Sequence, residues 1–130
     1  MIFTDIDSYL QILEQEAGRL DRDAIERLSD ILYKAWTEDK QVFIIGNGGS
    51  ATTASHFAED LGKGTMKESS MPVARFVKAL CKPRLRVMSL TDNVGWLLAI
   101  GNDLGYEEIF VQQLINFANE GDVLIAISGS

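Results

Sequence analysis

Cysteine is nearly absent from the sequence. The 130-residue chain carries one, Cys81, which cannot close an internal disulfide. A cystine-stapled fold is excluded, and a reducing, cytoplasmic location is expected. Proline is almost as scarce: Pro72 and Pro83 fall in one stretch, 64–83, which with Gly64 reads as irregular. No apolar run approaches the roughly 20 residues of a bilayer span, so no membrane partner is expected. The first residues, MIFTDID, lack a basic segment leading into an apolar one, and no leader is expected from them. Lys and Arg number 12 against 19 Asp and Glu, for a net charge of −7. That balance argues against nucleic acid as a partner. Arg75, Lys78, Lys82, Arg84 and Arg86 form one basic cluster. It reads as a solvated loop face, with the holding of an anionic ligand as the alternative.

What is present is an ordinary apolar fraction, 46%, in a length that suits a single globular domain. Ile6, Tyr9, Leu10, Leu13, Ala17 and Leu20 recur at helical spacing, with Thr4 and Asp7 as a start signal. Ile25, Leu28, Ile31, Leu32, Ala35 and Trp36 repeat the pattern behind Asp21 or Asp23. Residues 1–40 therefore read as a helical hairpin whose apolar faces need a partner, part of which another subunit could supply.

Residues 41–130 read as a βαβααβ core. Val42-Phe43-Ile44-Ile45 suits a strand buried on both faces. A helix is predicted over Ser50 to Lys63, and a second strand over Leu85 to Leu90. Thr91-Asp92 would cap a short helix through Val94, Leu97 and Leu98, which Gly101-Asn102-Asp103 interrupts. A longer helix runs from Tyr106 to Asn119 with Ile109, Phe110, Leu114 and Phe117 on one face, ended by Gly121-Asp122. Val123 to Ile127 is the third strand. Such alternation predicts an α/β fold: a doubly wound, flavodoxin-like parallel sheet with right-handed crossovers. The chain stops at Ser128-Gly129-Ser130, where a strand would hand over to a turn, so it is read as the N-terminal portion of a longer domain.

The chemistry gathers at Ile44-Ile45-Gly46-Asn47-Gly48-Gly49-Ser50-Ala51. Ligands of open α/β sheets bind beyond the carboxyl ends of strands. A helix beginning near Ser50 would offer unpaired N–H groups and partial positive charge there. Glycines at 46, 48 and 49 allow positive φ and a close backbone approach, and Ser50 adds a hydroxyl. The combination suits a phosphate or a carboxylate. A Walker loop is excluded, since no Gly-Lys-Ser/Thr follows. Gly46, Gly48 and Ala51 formally meet a dinucleotide pattern. Glu68 lies near the distance of its acidic residue, but no strand leads into it; no nucleotide cofactor is expected. Ser89, Thr91, Asp92 and Asn93 follow the second strand, and Ser128-Gly129-Ser130 the third, so polar groups from three strand ends could converge.

On the helix behind the turn, Ala54, Phe57, Ala58 and Leu61 share one face. Thr52, His56, Glu59, Asp60 and Lys63 share the other. His56, the single histidine, and Asp60 stand at i and i+4 and can meet. The pair reads either as a surface ion pair or as a proton-transfer or metal pair.

Three motifs, GNGGSATTASHFAEDL from Gly46, GND from Gly101 and EGDVLIAISGS from Glu120, resemble the sugar isomerase (SIS) domain family, and within it the phosphoheptose isomerases. The resemblance implies an aldose–ketose isomerase acting on sedoheptulose 7-phosphate or a similar sugar phosphate. It also implies a cytoplasmic homotetramer with Zn2+ and with active sites at subunit interfaces. Asn47, Gly48, Gly49 and Ser50 match a substrate-binding loop. Asn102 and Asp103 match a second contact, and Ser128, Gly129 and Ser130 a phosphate loop. His56 matches a zinc ligand. Asp60 stands where these enzymes place a glutamate that is both ligand and catalytic acid/base. That glutamate is one methylene longer, so the Asp60 carboxylate sits about 1.5 Å further back, and a misplacement of about 1 Å can cost a hundredfold in rate. The family's later glutamine and histidine would lie beyond Ser130, so the fragment alone is expected to be inactive. The shorter acid motivates an alternative: a non-catalytic phosphosugar-binding protein of the same fold, of the type that activates the bacterial replication initiator.

Overall fold

The computed structural model describes residues 5–64 and 84–129. The chain forms two compact units, Met1–Ile31 and Leu32–Ser130. In order, the elements are α1 (Ile6–Gly18), α2 (Arg22–Thr37), β1 (Gln41–Gly46), α3 (Gly49–Gly64), β2 (Arg86–Ser89), α4 (Val94–Asp103), a 3-10 turn (Tyr106–Glu108), α5 (Val111–Phe117) and β3 (Val123–Ile127). Among the described residues no helix is long and apolar enough to cross a membrane.

In the first unit the sequence's helical spacing is realised, but the starts differ in detail. Asp5 caps α1, its carboxylate accepting the Ser8 N–H at 2.7 Å; Thr4 lies outside the described residues. Asp21 caps α2, accepting the Ala24 N–H at 2.9 Å. No residue of α1 is buried, and Ile6, Leu10, Leu13, Leu20, Ile25 and Ile31 are all about half exposed or more.

The second unit is built on β1. Val42, Phe43 and Ile44 are fully buried, as a strand covered on both faces requires. β1 pairs parallel with β2 on one edge and with β3 on the other, in the order β2-β1-β3. That is the first part of the flavodoxin-like order, whose switch point lies between β1 and β3. Ala35 of α2, Ala54 and Ala58 of α3, and Leu85 pack with Val42 and Ile44 as the core, with Trp36, Phe57 and Leu61 against it.

Beyond β2 the helix boundaries differ from the sequence expectation. Asn93 caps α4, accepting from the Trp96 N–H at 3.3 Å, rather than Thr91 or Asp92. Gly101-Asn102-Asp103 does not interrupt the helix but lies in its last turn. The interruption falls at Gly105, whose φ of 116° no side-chain-bearing residue adopts readily. The expected helix from Tyr106 to Asn119 is divided into the 3-10 turn and α5, and ends at Ala118 in extended geometry rather than at Gly121. Its buried face includes Gln113, which the hydrophobic pattern passed over, while Phe117 stays 42% exposed. The Gln113 amide donates to the Leu90 carbonyl at 3.0 Å and the Ile109 carbonyl at 2.9 Å, tying α5 to the end of β2.

Asp122 fastens the opposite end of the sheet. Its carboxylate accepts the Gln41 N–H at 2.8 Å and the Asn119 N–H at 2.8 Å. Desolvation pushes its pKa up, but the two backbone donors, with Lys40 and Arg86 nearby, outweigh that and hold it below the ordinary 3.8. A carboxylate whose pKa is lower folded than unfolded contributes stability above the unfolded value and loses it as pH falls through the folded one. We predict that Asp122→Ala costs about 1–2 kcal/mol at neutral pH, from two lost hydrogen bonds. Urea titrations should show that cost shrinking below pH 4, whereas a cost unchanged at pH 2.5 would contradict the assignment.

Candidate active site

The three parallel strands end on one edge of the sheet. Gly46 is in register with Ile127 and Ile44 with Ser89. Asn47 and Ser128 therefore leave the sheet from neighbouring positions, and Ser89-Leu90-Thr91 leaves it on the other side of β1.

The glycine turn works differently at each position. Only Gly48 takes positive φ, 55°. At Gly46 the constraint is space: a Cβ there would stand 2.6 Å from the Ser50 carbonyl oxygen and 2.7 Å from its carbon. The first turn of α3 thus packs on the bare backbone of the strand end. Gly49 opens α3, and a Cβ there would meet nothing within 4 Å. The helix N–H groups expected to be unpaired are partly used. Ser50 N–H donates to the Asn47 carbonyl at 3.0 Å and Ala51 N–H to that of Gly48 at 3.0 Å. The Gly48 and Gly49 N–H groups are those without a backbone acceptor among the described residues.

A cavity of 440 Å³ opens beside this turn. Asn47, Gly48 and Asn102 line it, with Thr91, Tyr106 and an apolar wall that includes Leu97 and Phe110. The two sequence-predicted contacts, the Asn47 loop and Asn102, are thereby brought together. Asn102 also donates to the Asp103 carboxylate at 2.8 Å, and Asp103 lies outside the cavity wall. Gly49, Ser50, Ser128 and Gly129 are likewise not in that wall, and Ser130 lies outside the described residues.

Tyr106 is the residue that the sequence reading passed over. Its hydroxyl donates to Asn47 Oδ1 at 2.9 Å, across 59 residues of chain. The available signal was an aromatic with a polar tip placed just after Gly105, close behind the GND motif.

His56 and Asp60 lie on the exposed polar face of α3, as their spacing predicts. His56 Nε2 is 3.3 Å from Asp60 Oδ2. Lys63 Nζ stands 3.1 Å from Asp60 and 2.9 Å from Glu59. The hydrogen bond from Lys63 outweighs the desolvation that raises the Asp60 carboxyl and, with the lesser charge effects of Lys63 and His56, holds it below its ordinary pKa. The Asp60 and Glu59 carboxylates in turn raise Lys63. Two shallow grooves border this pair. One is lined by Thr52, Thr53, His56, Phe57 and Asp60. The other includes His56, Glu59 and Asp92 and shares Ala51 and Thr91 with the cavity beside the glycine turn.

Of the basic cluster, Arg86 donates to the Asp39 carbonyl at 3.0 Å. Asp39 precedes β1, so that side chain serves the far edge of the sheet from the glycine turn. Arg75, Lys78 and Lys82 lie outside the described residues.

The family profile described as an SIS domain matches residues 6–130. The chain belongs to the SIS domain family. A phosphoheptose isomerase of Geotalea uraniireducens is 35% identical over 130 residues, covering 99% of this chain and 61% of that protein. One of Burkholderia pseudomallei is 37% identical over 106 residues, covering 82% and 47%. Among solved structures, a phosphoheptose isomerase of Francisella tularensis superposes with a TM-score of 0.73 at 27% identity, covering 95% of this chain and 58% of that one. That of Neisseria gonorrhoeae gives 0.71 at 28%, covering 90% and 53%. The chain thus spans about half to three-fifths of these relatives. The SIS match reaches across all the elements that surround the glycine turn.

The two outer glycines of the turn should separate on substitution. Gly46→Ala forces backbone against backbone and should destabilise the SIS domain by about 1–3 kcal/mol or more. Gly49→Ala meets open space and should stay within about 0.5 kcal/mol. Equal melting temperatures for the two variants would contradict the packing role of Gly46.

Proposed function

We propose that the protein carrying this chain binds a sugar phosphate and interconverts its aldose and ketose forms, as phosphoheptose isomerases do. The substrate would be sedoheptulose 7-phosphate or a similar sugar phosphate. The observation that carries this reading is the convergence at the sheet's edge. The glycine turn, the Ser89–Thr91 segment and Ser128-Gly129 leave parallel neighbours at the switch point, beside a cavity lined by Asn47 and Asn102. The similarity to phosphoheptose isomerases supports it.

In this reading the phosphate lies against the Gly48 and Gly49 N–H groups, the Ser50 hydroxyl and the Ser128–Ser130 loop, where the dipole of α3 favours an anion. Asn47, Asn102 and Asp103 hold the sugar. Asp60 takes a proton from the hydroxyl-bearing carbon next to the carbonyl and returns it to the carbonyl carbon, while the proton of that hydroxyl passes to the former carbonyl oxygen, with His56 beside it in the proton-transfer set. A carboxylate held low in pKa is a weak base, so Lys63 must yield its hold on Asp60 when substrate enters.

The donor set of His56 and Asp60 fits half of a zinc site. An imidazole nitrogen and a carboxylate oxygen lie 3.3 Å apart on an exposed face, matching one edge of a tetrahedron with ligand distances of about 2.0–2.1 Å. Among the described residues no third His, Cys, Asp or Glu joins them, so further ligands come from elsewhere. Bound there, Zn2+ would supply Lewis-acid polarisation of the substrate carbonyl. Assembly into a homotetramer is supported by the exposed apolar residues of the first unit, Ile6, Leu10 and Leu13 among them. A cytoplasmic location is supported by the single cysteine.

The full protein should turn over sedoheptulose 7-phosphate, followed by NMR of the sugar. Asp60→Asn should lower kcat by about 10²–10⁴-fold, and His56→Ala should lower bound zinc measured by elemental analysis. Binding without turnover, with and without added zinc, would overturn the isomerase reading in favour of a phosphosugar-binding protein. Absence of binding would overturn both.

A further inference from the structure

Asn47 is the first residue beyond β1, and its carboxamide offers an acceptor on one side and two donors on the other. Which side meets the cavity decides what the cavity can bind. Here the Tyr106 hydroxyl donates to Oδ1 at 2.9 Å. Among the described residues the two Nδ2 hydrogens have no acceptor, and Asn47 lines the cavity. Tyr106 is itself presented by a fixed support. Its 3-10 turn runs into Ile109, which is buried, and the buried Gln113 amide ties the Ile109 carbonyl to that of Leu90 at the end of β2.

We propose that Tyr106 is a positioning residue for substrate binding. Its hydroxyl orients the Asn47 carboxamide so that the N–H side serves an acceptor oxygen of the ligand, a carbonyl or phosphate oxygen of the sugar phosphate. The proposal rests on the phosphosugar reading above and adds to it a residue outside the glycine turn. Without the hydroxyl, the carboxamide can turn over and present its own oxygen to an oxygen that only accepts. Some of the binding population is then lost, while the fold, which takes no backbone hydrogen bond from this hydroxyl, is unchanged.

The test is a double-mutant cycle read by calorimetric titration of sedoheptulose 7-phosphate into the full protein. Tyr106→Phe should weaken binding ~3- to 10-fold, the range of one neutral hydrogen bond, with the melting temperature unchanged. In an Asn47→Ala background the same substitution should have no effect. Tyr106→Phe binding as tightly as the wild type would overturn the proposal. So would an undiminished loss in the Asn47→Ala background, since the hydroxyl would then act on the ligand directly. A wild type that does not bind the sugar phosphate would overturn the phosphosugar reading, and this inference with it.

Discussion

The second unit depends on one strand. β1 is paired in parallel on both edges and buried on both faces from Val42 to Ile44. Its backbone therefore has no freedom to slide, because a shift of one residue would exchange the faces of every side chain. Parallel pairing brings all three strand ends to one edge. The polar segments that follow them meet there as a consequence, whatever their own sequences. At Gly46 this core turns into a site. The missing side chain lets the first turn of α3 sit on the strand end, with the Ser50 carbonyl oxygen 2.6 Å from where a Cβ would stand. Close packing is thus the role of that glycine, and the N–H groups of Gly48 and Gly49 after it are left without a backbone acceptor among the described residues.

Thr91 divides the edge in two. Its hydroxyl has one hydrogen, for which the Ala51 carbonyl at 3.2 Å and the Asp92 carboxylate at 3.3 Å compete, and it lies 2.6 Å from the Ser89 hydroxyl. These partners occupy it fully. Thr91 therefore acts as a wall that staples the end of β2 to the start of α3. On one side lies the cavity with Asn47, Asn102 and Tyr106. The other side holds the groove with His56, Glu59 and Asp92.

Much of this was legible in the sequence where the physics is local. A strand buried on both faces must be continuously apolar, so Val42–Ile45 stood out; Val123–Ile127 is as apolar but alternates between half-buried and exposed. Helical geometry alone places a residue over its i+4 neighbour, so the approach of His56 to Asp60 followed from the spacing. The misreadings lie where a distant contact decides. Gly101 and Gly105 look alike in sequence, but only Gly105 takes the positive φ that ends α4, while Gly101 faces Ile109 at an ordinary contact distance. Gln113 reads as a surface residue until two carbonyls, from Leu90 and Ile109, are found waiting for its amide. Tyr106 could not be assigned a partner 59 residues away from any pattern along the chain.

Asp60 concentrates the remaining physical question, and reach weighs more in it than charge. Its partners His56 and Lys63 are both more than half exposed, and ion pairs in that setting are worth little. Lys63 also divides its hold between Asp60 and Glu59. An exposed, shared partner of this kind is displaced at small cost, so the electrostatic constraint on Asp60 is easily relieved. The length of the side chain is not relieved. Aspartate ends about 1.5 Å short of a glutamate on the same backbone, and neither helix geometry nor electrostatics can extend it. The backbone of α3 cannot advance to compensate, because Ala54 and Ala58 already lie packed against β1's Val42 and Ile44.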